Sequence, residues 1–516
     1  MAHTSSSPST QPRCSGPHRS PPAGHTEYRA RDPSLTVLGQ ILQRHLHAFE
    51  EAAQEQDDGF RVPAFALKAL RAAAGCGDLT AGFVRLVCDR CRAPRIVPFS
   101  CKSPICSSCA GRRMGELAAY AVDRVLPTAA GYRQYVLSLP FALRNAVAFD
   151  VGLCNAVFDI VRSHVFRGIA ARAAEDGAIG VPAGVLHIQR HGDAFELNVH
   201  GHFVVSDGVF VATGNPEDPA VHFQRARPPT PEELARTAQA IETDVCRLLS
   251  RRAKRAAEPP EAPGAGARER EVLKRFAQAR PARTTRTTSP KSRARGPSTS
   301  KRPLVARSPA GFDLHAGVAF TRFQRTATER LLRYLARPAV PESRMRLLQN
   351  GNVVIELKRA WANGVTAYEF EPLALLARLC ALVPPPKFPM LRYLGVIAPH
   401  AALRPRVLPR PPLPEPERPV APQRPKRMAW ADLMRRVFSL DPKACPCGGR
   451  FRLIAVIDEP TAIEAICAAL IATGHLARHR APRGPPSDRR RPRSRPPSAA
   501  HPRSNRAPRT PQTPRG

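Results

Sequence analysis

Six cysteines fall between positions 76 and 109, as Cys76, Cys88-Asp-Arg-Cys91, Cys101 and Cys106-Ser-Ser-Cys109. Each C-x-x-C knuckle aims two thiolates at one ion, and two knuckles complete the tetrahedral sulfur set that suits structural zinc. The spacing therefore assigns Cys88, Cys91, Cys106 and Cys109 as zinc ligands. Cys76 and Cys101 are further candidates, able to replace a knuckle member or to begin a second, incomplete site. Thiols this crowded indicate metal in a reducing compartment rather than a disulfide framework. Arg85, Arg112 and Arg113 lie in or beside this stretch, where a zinc-stiffened module would present them to phosphates.

A second constellation is Leu197-Asn-Val-His200-Gly-His202-Phe-Val-Val. Read as a strand, it puts residues two apart on one face, so His200 and His202 can hold one divalent ion side by side. Hard ions such as Mg²⁺ or Mn²⁺ want a further oxygen donor; Gln189, Glu196 and Asp207 are close enough in sequence to supply it. A third feature is Thr326–Arg337, a helical stretch that carries Tyr334 among Arg330, Arg333 and Arg337. A phenol beside a metal-bound phosphodiester can act as a nucleophile. Its free pKa of about 10 means the site must help, and the arginines could offset the charge.

These residues need elements to position them. Apolar spacing predicts a helical stretch over 34–74, then the cysteine module, then a helix from Arg112 to Val125. A strand is expected at Gln134–Leu139, a helix from about Asn145 to Ala174, and strands at Val185–Arg190 and Leu197–Val205. Val209–Ala212 is expected to return as a third strand after the Ser206-Asp207-Gly208 turn. Thr230-Pro231 opens a helix that fades near Arg255. Residues 256–310 read as a basic linker. Beyond it come the tyrosine helix, a hairpin of Val353–Lys358 with Thr366–Phe370, and a helix at Leu373–Leu382. The fold class is α+β. The expected organisation is a disordered leader (1–33), a helical zinc-knuckle module (34–125), a nuclease domain of antiparallel sheet and flanking helices (126–400), a Pro-rich linker (401–426), a small module (427–475) and a disordered basic tail (476–516).

The net charge of +37, from 79 Lys and Arg against 42 Asp and Glu, favours a polyanionic partner, and nucleic acid is the first choice. No apolar run is long enough to cross a bilayer, and no signal peptide is expected. A cytoplasmic, nucleoid-associated protein with no membrane partner is expected.

Taken together, the sequence resembles the rolling-circle transposases of bacterial insertion sequences, the insertion-sequence ninety-one family and its common-region relatives. The resemblance rests on blocks at 82–114, 133–144, "LNVHGHFVVSDGVF" (197–210), 311–320, "ERLLRYLARP" (329–338), 382–407 and "CPCGGRFRLIAVI" (445–457), all in the family's order. It implies an N-terminal zinc-binding domain followed by an HUH-type nuclease, named for two histidines flanking a hydrophobic residue. His200 and His202 match the metal pair, and Tyr334 matches the nucleophile. The implied chemistry is nicking and joining of single-stranded or hairpin DNA at element ends through a 5′-phosphotyrosine, with zinc structural and Mg²⁺ or Mn²⁺ catalytic. Arg85, Arg112, Arg113, Arg333 and Arg337 are the expected DNA contacts. Rival readings are a plasmid replication initiator or relaxase with the same chemistry, and a non-catalytic zinc DNA-binding protein descended from a transposase.

Three positions depart from the family pattern. Gly201 stands where a bulky apolar residue is usual, so the strand is expected to lose packing and gain freedom there, which makes it the first position to restore to a bulky apolar type should covalent capture fail. Arg330 and Pro338 occupy the positions four residues from Tyr334, which makes this the single-tyrosine type. The knuckle Cys445-Pro-Cys447-Gly-Gly is one residue shorter than usual, and one such pair cannot close a zinc site alone.

Overall fold

The computed structural model describes residues 32, 35–55, 62–215, 217–256, 265–286, 304–340, 342–361, 363–409 and 428–474. The expected tail, the expected leader apart from Asp32, and most of the expected Pro-rich linker lie outside the described residues. The fold is mixed helix and antiparallel sheet.

Six antiparallel strands form the central sheet, in the order Leu391–Gly395, Ala183–His191, Leu197–Ser206, Tyr132–Ser138, Asp313–Phe320, Val305–Arg307. The strand carrying His200 and His202 is thus bonded on both sides. His202 lies opposite His187 on one neighbour and Val136 on the other, while His200 lies opposite Gln189 and Ser138. Strand periodicity sends Val199, Gly201, Phe203 and Val205 to the other face. There they join one core with Val157, Phe158 and Val161 of the helix Val151–Ala174. Over the histidine face lie the helices Ser107–Arg124 and Arg325–Leu335. Their Ala118, Val122, Leu332 and Leu335 share a core with Tyr132, Val185 and Val204 of the sheet.

Gly201 is not a packing defect. A Cβ built there would lie 2.4 Å from Cε1 of Phe158 and 3.2 Å from Cε2 of Phe203. Phe158, fully buried, fills the space that a bulky residue at 201 would need. The expectation that the strand loses packing at Gly201 is overturned by this contact.

Several elements differ from their sequence expectation. The 34–74 stretch is two helices, Val37–Glu55 and Ala64–Ala74. The helix expected from Asn145 to Ala174 is also two, Phe141–Phe149 and Val151–Ala174. Asp150 breaks it, its side chain accepting from the Leu153 amide at 2.8 Å as an N-cap, a contribution of about 1 kcal/mol. Gly208–Thr213 leaves the main sheet and pairs with Ala220–Arg225 in a separate ribbon. The basic linker contains order: the helix Ala265–Ala277, the strand Arg283–Arg286 and the strand Val305–Arg307. Val272 and Leu273 are buried from that helix, and Phe276 meets Phe49 at 5.8 Å between ring centroids. Arg283–Arg286 extends the expected hairpin, with Met345–Leu347, to a four-stranded sheet.

The C-terminal module does not stand apart. Its strand Phe451–Ile457 pairs with Phe83–Cys88 of the zinc module, which also pairs with Pro94–Pro98. Ile463, Cys467 and Leu470 of the helix Pro460–Ala472 bury against Leu79 and Phe83. The helix Trp430–Phe438 packs Leu433 and Met434 against Ala119.

Candidate functional site

The histidine face gathers polar groups that burial leaves short of partners. His200 and His202 stand with ring centroids 4.9 Å apart. His200 Nδ1–H donates to the Asn198 carbonyl at 2.8 Å, which leaves the Nε2 lone pair for another partner. His202 Nδ1 lies 2.9 Å from the Gln134 side-chain amide. With the amide oxygen turned to Nδ1–H, a rotation that changes no shape, the lone pair of His202 again falls on Nε2. That Nε2 is buried and has no hydrogen-bond partner. Gln189, only 2 % exposed, donates from Nε2 to the Leu335 carbonyl at 2.5 Å, and its Oε1 is likewise buried without a partner. Two orphaned lone-pair atoms on adjacent strands, with the His200 Nε2 lone pair as a third, make a cradle that could hold a divalent cation.

Of the three oxygen donors weighed from sequence, only Gln189 faces the histidines in register. Glu196 accepts from the Ala194 amide at 2.8 Å and closes the turn before the strand. Asp207 sits past the other end of the strand, 3.3 Å from Arg225. Among the described residues, no third His, Cys or carboxylate joins both histidines with all ligand atoms within 4.8 Å.

The electrostatics keep these imidazoles neutral. Burial, then the neighbouring His200 and His187, push His202 down to about 2. Burial also holds His187 and His191 down to about 4 and lowers His200. Neutral imidazole is the form that binds metal.

The tyrosine helix is fixed across this face at both ends. Arg325 donates to the carbonyls of Val122 and Leu126 where the zinc-module helix ends, and the Leu335 carbonyl takes the bond from Gln189. Tyr334, next to that anchor, is 50 % exposed. The Arg337 guanidinium lies 4.5 Å from its ring centroid and Lys358 Nζ lies 5.4 Å away. Arg337, Arg344 and Lys358 converge on the one carboxylate of Asp193, each at 3.9 Å. Three cations around one carboxylate leave positive charge beside an exposed phenol. Arg344, Lys358 and Asp193 had no local sequence signal, since distant segments bring them together. The other expected DNA contacts sit differently. Arg333 donates to the Val437 carbonyl at 3.2 Å and Arg113 to the Lys102 carbonyl at 3.0 Å. Arg85 lies within the three-stranded sheet with a buried Nε, while Arg112 is half-buried on its helix.

The cysteines divide differently from the single site expected. One quartet is Cys76, Cys101, Cys106 and Cys109; the other is Cys88, Cys91, Cys445 and Cys447, and within each the sulfurs lie within 4.8 Å of one another. The knuckles 88/91 and 106/109 therefore serve separate clusters, and Cys76 and Cys101 complete the second knuckle's set. No disulfide joins any described cysteine. In the first quartet Cys76 Sγ stands 3.4 Å from Cys106 Sγ and 3.8 Å from Cys109 Sγ. A Zn–S bond of about 2.3 Å gives a tetrahedral edge of about 3.8 Å, so the set fits zinc.

Two family models match the chain. One, described as "Transposase zinc-binding domain" and named for the IS91 family, matches residues 41–139. The other, Y2_Tnp, described as "Putative transposase", matches residues 184–404. The chain belongs to the IS91-like transposases. The first match contains Cys76 to Cys109, and the second contains Gln189, His200, His202 and Tyr334. Cys445 and Cys447 lie outside both. As a transposase the protein binds DNA and carries zinc-binding cysteines. Among the described residues no helix is long and apolar enough to cross a membrane. No curated protein and no solved structure matches the chain.

Proposed function

We propose that this transposase nicks and rejoins single-stranded DNA at the ends of its element, as single strand or hairpin, with Tyr334 as the nucleophile. The observation that carries the reading is the Gln189 bond to the Leu335 carbonyl. It lays the residue beside Tyr334 over the face where His202 Nε2 and Gln189 Oε1 stand without partners. His200, His202 and Gln189 would hold Mg²⁺ or Mn²⁺, which supplies polarisation of the scissile phosphate when bound.

The chain's own groups do the rest. The Arg337 guanidinium and Lys358 ammonium, close to the Tyr334 ring, offset the negative charge of the phosphate and of the attacking oxygen. Tyr334 Oη forms a bond to phosphorus and the bond to the 3′ oxygen breaks. The phenolic proton leaves to solvent and the departing oxygen takes one up. The products are a 5′-phosphotyrosine and a free 3′-OH. Attack by a 3′-OH on that phosphotyrosine reverses the step and joins strands, so no external energy source is needed. The setting is the bacterial cytoplasm, at the nucleoid.

Purified protein, Mn²⁺ and oligonucleotides spanning the element ends should yield a denaturant-resistant adduct that maps to Tyr334. Tyr334→Phe should abolish it with zinc content and DNA affinity nearly unchanged. An equal adduct from the Phe variant would overturn the assignment. DNA binding with no adduct from the natural protein would favour the non-catalytic zinc DNA-binding reading.

A further inference from the structure

The second cysteine quartet joins residues from opposite ends of the chain. Cys88 and Cys447 are 359 positions apart and their sulfurs lie 3.5 Å apart. Cys91 and Cys445 are 354 positions apart, with sulfurs at 3.7 Å. These separations match the tetrahedral edge of about 3.8 Å that zinc–thiolate bonds impose, and exceed a disulfide's length of about 2.05 Å. We infer that Cys88, Cys91, Cys445 and Cys447 bind a zinc ion of their own, and that this ion is a clasp fastening the C-terminal module to the zinc module and, through it, to the tyrosine helix.

The backbone around the quartet is built for such an ion. The short knuckle closes as a tight hairpin: the Cys445 amide donates to the Gly449 carbonyl at 3.0 Å, and the Gly448 amide to the Cys445 carbonyl at 2.9 Å. Gly448 has φ +82°, a left-handed conformation that suits glycine, and a Cβ on Gly449 would lie 2.7 Å from Cys88 Sγ. Both glycines let the hairpin approach the sulfurs. Arg90, between Cys88 and Cys91, donates to the Cys447 carbonyl at 2.9 Å, and Asp89 accepts from the Arg450 amide at 2.8 Å. The missing residue of the knuckle is thus no defect, because the other two thiolates come from Cys88 and Cys91.

The module also needs a clasp. It buries Ile463, Cys467 and Leu470 at one contact and Leu433 and Met434 at another. Leu453, Ile454 and Val456 of its strand remain more than half exposed. A unit this size seldom holds itself by apolar burial alone, and a structural metal is a usual remedy.

What the clasp holds is close to the chemistry. Arg436 of the module pairs with both Asp123 on the zinc-module helix and Glu329 on the tyrosine helix. Arg333 of the tyrosine helix returns a bond to the Val437 carbonyl. Arg436 and Arg333 are positioning residues: one holds the helix at Glu329, more than a turn before Tyr334, and the other at the position next to it.

The test uses the full chain with a specific protease site inserted between residues 409 and 428. Native mass spectrometry should find two zinc ions per chain, and one after Cys445→Ser combined with Cys447→Ser. After cleavage, the C-terminal fragment should co-elute with the remainder in the parent and separate in the double variant. Cys447→His keeps a Cys₃His set and should retain both the second ion and co-elution, which separates ligand loss from general misfolding. Arg436→Ala should keep both ions yet slow tyrosine capture of DNA by about tenfold or more, as expected when a reacting group is misplaced. Two ions in the double-serine variant would overturn the site. One ion with a fragment that still co-elutes would overturn the clasp. The capture arm rests on the tyrosine mechanism; the zinc count and the fragment's retention do not, so either can fail alone.

Discussion

Valine at Gly201 should destabilise this transposase, although strand propensity alone argues the reverse. Valine is a strong strand former, and replacing an interior glycine ordinarily gains up to about 1 kcal/mol. Here the first added carbon would stand 2.4 Å and 2.9 Å from two ring carbons of Phe158. Carbon atoms settle at about 3.5–4.0 Å, so the ring must retreat by about 1 Å. It has nowhere to go, since Phe158 is fully buried among Val157, Val161 and Phe203. Overpacking of this kind costs about 1–3 kcal/mol, which outweighs the propensity gain. Phe158→Leu gives the space back at the cost of a cavity, so the paired variant should be more stable than the two single effects predict, by about 1–2 kcal/mol. The assay is a double-mutant cycle of urea unfolding followed by the signal of the histidine sheet, with tyrosine capture measured alongside. A Gly201→Val protein as stable as the parent, or better at capture, would refute the reasoning and revive the view of Gly201 as a lesion.

Gln189→Ala removes the third donor and the anchor of the Leu335 carbonyl together; it should raise the Mn²⁺ concentration needed for capture by about tenfold or more, and an unchanged metal titration would remove Gln189 from the site. His202→Ala should do the same without lowering zinc content, and equal capture would argue against the pair. Arg337→Ala should weaken DNA binding and lower the slope of log affinity against log salt by about 1 if the side chain meets a phosphate; an unchanged slope would assign it to the tyrosine ring alone. Cys106→Ser opens the first quartet and should unfold the zinc module, a loss of about 3 kcal/mol or more, visible as released zinc and lost protection of the Ser107–Arg124 helix in hydrogen exchange.

The placing of the two histidines on one face was legible in the sequence, because its signals are local. The two-residue period that puts His200 and His202 on one face needs only a strand, and the tyrosine helix announces itself by its spacing and by Pro338. Register was not legible: nothing in the sequence says that Gln189 rather than Glu196 or Asp207 faces His200, because that depends on how two strands align across a turn. Cysteine pairing failed for a related reason. A C-x-x-C spacing reports that two thiolates share an ion, and is silent on which other pair completes the set. Two knuckles 14 residues apart suggested one site, whereas each found its partners elsewhere. The helix at Ala265–Ala277 was hidden by composition. Val272, Leu273 and Phe276 mark one apolar face, but Pro and Arg around them speak for a linker, and only the docking of Phe276 on Phe49 decides between the two.

The pairing of Phe83–Cys88 with Phe451–Ile457 also sets an order in time. On the ribosome, Cys88 and Cys91 emerge while Cys445 is still 354 positions away from Cys91. At about 5–20 residues per second that interval is about 20–70 s, during which the knuckle has two thiolates and an unpaired strand edge. The first quartet can close as soon as Cys109 appears, and the nuclease sheet can assemble once Leu391–Gly395 is made. The second edge of strand Phe83–Cys88 waits until Phe451–Ile457 is made. A chain cut short before residue 430 therefore carries its histidines and tyrosine while its tyrosine helix lacks the Arg436 and Val437 contacts, so the bracing of that helix is tied to a late stage of synthesis.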